Sequence, residues 1–397
     1  MEDRPLIIVG SGPAGAATAL RLAQLAPEIA RDALILEKAV HPREKVCAGG
    51  LIPHTIRCLR DLGVELTVPH VVVNRATVRT PTRQVHHQDR DICRVVRRCE
   101  FDAMLVEAVR SRGVAVNEAE KVVEVRRDGS AMLVETERAT YRTRAIVGAD
   151  GSGSLVRRRL LDRTNGHTGR ALMCDVPLAA TNWDGFASAS YEFNFEAVAT
   201  GLRGYTWAFP CWIRGEPHIN VGAYAVDTPG ARLTRLVESE LTRLRADVRP
   251  RFQAFPIHWY EDRAPIAGPA VILAGDAAGV DPLMGEGISF ALEYGWRAAE
   301  AVHAAFATGD FSFAAYQRGV RASWLGRKLR RLNLAVRLFY GPTWRVWFAI
   351  AEHSRRAREL GLSWYNGVNG WDQRSGWEAV RALWTGNFGS PPATTAG

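Results

Sequence analysis

Leu6-Ile-Ile-Val9-Gly10-Ser-Gly12-Pro-Ala14-Gly15 is the stretch that decides the fold. A short apolar strand runs into Gly-x-Gly-x-x-Gly, and an Ala/Leu-rich helix follows to about Ala26. The first glycine permits the tight turn, the second lets backbone approach a pyrophosphate, and the third lets helix pack on strand. The helix start then turns amides and a partial positive charge toward phosphate. Ala33–Leu36 reads as the next strand and ends at Glu37, 22 residues beyond Gly15, where a carboxylate can accept hydrogen bonds from a ribose. Strand, glycine turn, helix and acid together predict dinucleotide binding in a Rossmann-type α/β domain.

Downstream features choose the dinucleotide. Ala145–Gly148 reads as a buried strand running into Gly148-Ala-Asp150-Gly151. Val271–Ala274 is another, leading into Gly275-Asp276 and then Pro282-Leu-Met-Gly285-Glu-Gly287-Ile288, where a long amphipathic helix opens and continues to about Phe306. An acid at such a strand end suits ribityl hydroxyls, and a helix N-terminus stabilises the negative charge of a reduced flavin. FAD is therefore expected.

Between these motifs the pattern alternates. Pro53–Leu62 and Glu100–Arg112 read as helices, and Val114–Asn117, Val122–Arg126 and Ala131–Glu135 as a β-meander. Ser188–Phe195, Tyr205–Trp212 and His218–Tyr224 read as longer strands, interrupted by a helix over Pro229–Arg245. The expected organisation is an FAD-binding region over 1–170, a sheet-rich substrate domain over 171–262, a return to the FAD-binding region over 263–310, and a helical, basic, Trp-rich region over 311–397.

The three flavin motifs, in this order, resemble the FAD-dependent oxidoreductases of the p-hydroxybenzoate hydroxylase type, over nearly all of residues 5–310. Within them, three segments resemble the geranylgeranyl reductase-like branch. These are Lys45-Val-Cys47-Ala48-Gly49-Gly50-Leu51, Arg98-Cys-Glu-Phe101-Asp102-Ala-Met-Leu105, and Gly204-Tyr205-Thr-Trp207-Ala-Phe209-Pro210 followed by Asn220-Val-Gly222. The resemblance implies cofactor contacts at Gly10, Gly12, Ala14, Gly15, Glu37, Cys47, Ala48, Gly50, Arg98, Asp150, Gly275, Asp276, Gly287 and Ile288. It implies substrate contacts at Tyr205, Trp207, Phe209 and Pro210. Ala48 departs from the pattern, since glycine is frequent there. The implied chemistry is reduction of C=C bonds in an isoprenoid or similar apolar substrate, with NAD(P)H or ferredoxin charging the flavin. No second Gly-x-Gly-x-x-Gly suggests a dedicated nicotinamide domain.

Cys47 carries two readings: a proton donor beside the flavin, or a small side chain packed in a glycine loop. Tyr205, Trp207 and Phe209 share one face of a strand, as either a substrate tunnel or core packing demands. A monooxygenase or halogenase on the same fold is the alternative function, since fold does not fix chemistry. The halogenase Trp-x-Trp-x-Ile-Pro strand is only approximated by Tyr205–Pro210, and the chain has four lysines, Lys38, Lys45, Lys121 and Lys328, none a compelling counterpart of the halogenase lysine. A non-catalytic flavoprotein is a third reading.

Composition is that of a globular protein: 47% apolar and 23% charged residues. The net charge of +9 is concentrated between Arg321 and Arg358. Such a stretch suits nucleic acid, an anionic membrane or an acidic ligand, or is simply a solvated helix face. Nucleic acid is not expected. The Arg/Trp helices suit a membrane interface, a cap over the active site or a dimer contact. The best apolar window, Leu332–Ile350, is broken by Arg337, Gly341, Pro342 and Arg345, so no span is expected. Six cysteines without regular spacing and no secretory signal predict free thiols, no zinc site and a cytoplasmic setting. Asn387–Gly397, rich in small and polar residues, is expected to be disordered.

Overall fold

The computed structural model describes residues 1–161 and 167–368, and beyond these only 374, 375, 377, 378, 381 and 385. The expected disorder of Asn387–Gly397 lies outside the described residues. Two eight-stranded sheets carry the fold. In the first, Glu2–Val9 pairs in parallel with Leu34–Leu36 on one side and Thr140–Gly148 on the other. Ala115–Asn117 and Val271–Leu273 extend it in parallel at the two flanks. These strands are near-continuous apolar runs because helices cover both faces; Leu6, Ile7, Ile8, Ile146 and Ile272 have no exposed surface. Chain order reverses about Glu2–Val9, and the crevice outside the strand ends there is where a doubly wound sheet takes its ligand.

The helix Pro13–Leu25 packs tightly against Ile288–Thr308. A Cβ at Gly295 would fall 2.4 Å from the Ala14 carbonyl oxygen, so only glycine allows this approach. The expected meander over Val114–Glu135 is corrected in part. Val122–Asp128 and Ala131–Thr136 form an antiparallel ribbon, but Ala115–Asn117 joins the parallel sheet beside Leu34–Leu36. Three apolar-to-polar residues hold too little pattern to tell a parallel edge from a hairpin arm.

The second sheet runs Gln253–His258, Thr168–Pro177, Glu216–Val226, Gly204–Ile213, Ser190–Asn194, His70–Arg79, Gln84–Val96, Gly50–Leu51. Its last three strands come from residues 50–96, inside the stretch expected to belong to the FAD-binding region. The hairpin His70–Arg79/Gln84–Val96 was not anticipated, because His86, His87, Gln88, Asp89 and Arg90 make its second arm read as a polar loop. One face of this sheet buries Leu172, Val176, Ile219, Val221 and Ala223 under the helix Gly230–Arg243. The other face is aromatic and turns toward the flavin crevice.

Among the described residues, four helices close the far side: Ala314–Ala322, Trp324–Phe339, Trp344–His353 and Arg355–Asn366. Tyr316 Oη donates to the Leu273 carbonyl at 2.8 Å, tying the first of them to the parallel sheet. Most of their tryptophans pack inward: Trp324 lies edge-on to His54, Trp344 meets Phe348, and Trp347 meets Phe339. No helix among the described residues is long and apolar enough to cross a membrane.

Candidate active site

A single cavity of about 950 Å³ runs from the glycine turn to the aromatic face of the second sheet, at the upper end of the roughly 300–1,000 Å³ usual for small-molecule sites. At one end the turn is fixed by Gly10 N donating to the Leu36 carbonyl at 2.8 Å. Gly10 has φ +98°, and a Cβ on Gly15 would lie 1.9 Å from the Gly10 carbonyl oxygen. A Cβ on Gly12 would meet only the Arg43 guanidinium, at 3.9 Å. The turn is thus a cradle that only this glycine pattern leaves empty.

Glu37 is 5% exposed at the end of its strand. Burial works against its ionisation, but the amides of Ser11 and Ala39, at 3.0 Å each, together with Arg43 hold its carboxyl below the ordinary value. It is therefore an anionic acceptor at the cavity wall, as a ribose partner must be. Arg98 is buried and forked onto the fully buried Asp102 (Nε–Oδ1 2.7 Å, Nη2–Oδ2 2.9 Å), with Arg43 on the same carboxylate at 3.2 Å. Burial opposes the Arg98 charge, and Asp102 more than restores it. Asp276 accepts from Ser152 Oγ at 3.1 Å. Asp150 accepts the amides of Leu155 and Val156, while its Oδ1 is buried without a partner among the described residues. The cradle, the anionic Glu37 and the unfilled Asp150 oxygen fit FAD. The pyrophosphate would lie on Gly10–Ala14, a ribose on Glu37 and the ribityl chain on Asp276.

Of the fourteen cofactor positions expected from sequence, all but Gly15 and Gly275 line the cavity. Gly15 and Gly275 serve packing instead, the second with φ +62° and a would-be Cβ 2.9 Å from that of Ala14. Gly287 and Ile288 line the cavity, and behind them Glu286 accepts from the Ser289 amide and hydroxyl, at 2.8 and 2.7 Å. Cys47 lies in the wall between Lys45 and Gly50, its Sγ accepting Gly49 N at 3.4 Å.

Tyr205, Trp207 and Phe209 line the other end, but Pro210 does not. Side chains alternate along Gly204–Ile213, so Pro210 points to the opposite face and is corrected from substrate contact to scaffold. Trp207 needs a bare backbone across from it. Its register partner is Gly222, where a Cβ would meet the indole at 2.2 Å, and its Nε1 donates to Asn220 at 2.7 Å. Phe193, Phe195 and Tyr191 complete the wall, with Tyr191 stacked on Phe209 at 4.9 Å between centroids. Ser188–Phe195 was read from sequence as a strand, yet its aromatics were not singled out, because nothing local separates a tunnel wall from core.

Sequence reasoning also missed Lys45, Tyr365 and Asn366, all cavity-lining. Burial pulls the Lys45 ammonium down to about 8 against the attraction of Asp276, and it lies over the Phe255 ring. The last two come from the C-terminal cap, where no motif pointed. Away from the cavity, His54, Cys58 and Glu293 gather within 4.8 Å. Arg57 sits on His54 Nδ1 at 3.0 Å, Arg297 on Glu293, and burial holds both His54 and the thiol neutral, so this reads as a hydrogen-bonded packing cluster.

Residues 3–302 match the family model described as an FAD binding domain. The chain is 30% identical over 318 residues to a menaquinone reductase of Mycobacterium tuberculosis, spanning 75% of this chain and 76% of that one. It is 27% identical to digeranylgeranylglycerophospholipid reductase 1 of Methanococcoides burtonii, over 79% and 78% of the two chains. The flavin-dependent brominase Bmp2 shares its fold at a TM-score of 0.72 and 18% identity, over 97% and 98% of the chains. The chain belongs to the FAD-binding-domain family of flavoproteins, and at lower identity it is similar to reductases that include a digeranylgeranylglycerophospholipid reductase.

Proposed function

We propose that this FAD-dependent oxidoreductase reduces isolated C=C bonds of an isoprenoid or similarly apolar chain. One observation carries the reading. The wall facing the cofactor end is a continuous aromatic surface, with Tyr191, Phe193, Tyr205, Trp207 and Phe209 on one sheet and Phe195 just beyond its strand. Such a wall offers burial for an apolar chain at about 25 cal/mol per Å² and almost no polar group to orient a hydrophilic one. Bound FAD supplies hydride once reduced by an external donor, with NAD(P)H or ferredoxin the donor classes. The protein's own part is to hold the chain against the aromatics, to exclude water and to supply a proton, for which Cys47 is the candidate within the flavin loop.

A second reading, oxygen-dependent hydroxylation or halogenation, draws on one residue: Lys45, in the cavity wall and with its proton loosely held. The experiment that separates them is anaerobic. Photoreduced holoenzyme mixed with geranylgeraniol is expected to reoxidise far faster than without it; reoxidation by air alone would remove the alkene reading.

An apolar substrate must be delivered. Leu334, Val346 and Ile350 are 54%, 58% and 44% exposed on the cap, among Arg337, Arg345 and Arg355. We propose an anionic lipid surface as their partner, since basic side chains around apolar ones favour such headgroups. Phe348, on the same helix as Val346 and Ile350, packs against the wall residue Phe195 at 5.5 Å.

A further inference from the structure

Four tyrosines from four elements converge on the loop 281–284, just before the Gly285-Glu-Gly287 turn. Three of them hold main-chain oxygens: Tyr224 that of Pro282 at 2.8 Å, Tyr340 that of Leu283 at 2.9 Å, and Tyr205 that of Met284 at 2.5 Å. The fourth, Tyr365, reaches from the last cap helix and meets a carboxyl instead, its Oη lying 2.9 Å from Asp281 Oδ2. Asp281 has no exposed surface; its oxygens also accept the amides of Leu283 at 2.7 Å and Met284 at 3.2 Å. Tyr365 lines the cavity and Asp281 lies behind it.

This arrangement differs from every other hydroxyl in the wall. Tyr205 and Tyr224 also line the cavity, but a carbonyl cannot return a proton to a phenol that has given one away. Tyr191 has aromatic rings about it and, among the described residues, no carboxyl. Cys47 accepts an amide and lies beside Arg98, which takes up the nearby Asp102 carboxylate. Among the described hydroxyls of the wall, only that of Tyr365 bonds a buried acid.

We infer that Tyr365 is the catalytic proton donor to the substrate carbon and that Asp281 is the buried acid that reprotonates it. The inference rests on the alkene-reductase reading above. In the balanced step, bound reduced FAD would supply the hydride for a C–H bond at one alkene carbon, while the π pair takes the Tyr365 proton at the other. The phenolate oxygen then takes the proton of the Asp281 carboxyl, which is recharged from water between turnovers. One alkene, one flavin hydride and one proton from water give one saturated bond and one oxidised flavin.

Electrostatics agree with that reserve. Burial raises the Asp281 carboxyl to about 6, opposed by the two amides and Tyr365 and reinforced by Glu286. Glu286 is itself buried and raised, with Lys328 opposing. Lys328 donates to the Tyr365 carbonyl at 2.8 Å, so the last cap helix is held from two sides. The groups facing Asp281 are thus Tyr365, Glu286, Tyr205, Tyr224 and Tyr340, none of them a cation.

Two arms test the inference. In the first, anaerobically reduced Tyr365→Phe, Asp281→Asn and wild-type holoenzymes are mixed with geranylgeraniol and, separately, with air. Tyr365→Phe is expected to lose about 100-fold or more in alkene-driven reoxidation while keeping FAD and its rate with oxygen. Asp281→Asn is expected to lose the fall in rate as pH rises through 6. Tyr365→Phe at the wild-type rate, or a Cys47→Ser variant alone showing the loss, overturns the inference and leaves the reductase reading standing. The second arm needs no turnover: infrared difference spectra of the protein between pH 4 and 8 should show a buried carboxylic-acid band that is missing in Asp281→Asn and shifted in Tyr365→Phe. Its absence from wild type overturns the dyad. A wild-type enzyme that shows the band but never reduces the alkene overturns the reductase reading, and proton donation with it.

Discussion

Replacing Arg98 by alanine probes how the cofactor wall is held. The guanidinium makes a two-pronged contact of 2.7 and 2.9 Å with Asp102, which has no exposed surface. Removing one member of a buried ion pair costs about 3–5 kcal/mol, because the remaining charge is stranded. Here Arg43 stays on Asp102 Oδ2 at 3.2 Å and neutralises part of it, so the expected loss is about 2–3 kcal/mol. Urea unfolding of FAD-depleted protein, followed by tryptophan fluorescence, measures stability apart from the cofactor; flavin fluorescence on the holoprotein then measures FAD retention. Arg98→Ala should unfold earlier by that amount and also release FAD more readily, since Arg98 lines the cavity. Arg98→Ala combined with Asp102→Ala should cost less than the sum of the two, by about 1–3 kcal/mol. An Arg98→Ala protein within about 0.5 kcal/mol of wild type, the range of an ordinary surface change, would refute the reasoning.

Three further outcomes follow from the same geometry. Glu37→Gln keeps the shape but loses the anionic acceptor, so FAD should bind about 10- to 150-fold more weakly, matching the 1.5–3 kcal/mol of a charged hydrogen bond; calorimetric titration of apoprotein with FAD checks it, and unchanged affinity would move the ribose elsewhere. Phe193→Trp adds bulk to the cavity wall and should slow the longest prenyl chains most, read as a chain-length profile of reoxidation rates. The third concerns pH. Because the Asp281 carboxyl is raised to about 6 in the fold while an unfolded aspartate ionises near 4, the unfolded chain releases its proton first. Stability from this group is therefore present below pH 4 and falls as pH climbs to 6, by up to about 3 kcal/mol at roughly 1.4 kcal/mol per pH unit. Asp281→Asn should lack that fall, and parallel urea-midpoint curves for the two proteins from pH 4 to 7 would contradict it.

The flavin half of the site was legible because its chemistry is written in backbone. Gly10, Gly12 and Asp276 announce themselves by spacing, since a turn or a helix start allows few residues. The substrate half was legible only along Tyr205–Phe209, where resemblance supplied what alternation could not. Pro210 was misassigned by treating a motif as a surface, when a strand shows only alternate residues to each side. Tyr365 and Asp281 lie 84 residues apart and carry no local pattern. Their meeting depends on how the cap packs, which periodicity does not encode. Lys45 stood in a quoted segment, but its burial over Phe255 is a tertiary fact.

The central claim is that this flavoprotein saturates an apolar alkene. A single anaerobic turnover of reduced holoenzyme with geranylgeraniol, followed by mass spectrometry of the extracted lipid, tests it most directly. A gain of about two mass units, one hydride and one proton, is the expected result. Unchanged lipid under these conditions, with a gain of about sixteen once oxygen is admitted, would contradict it.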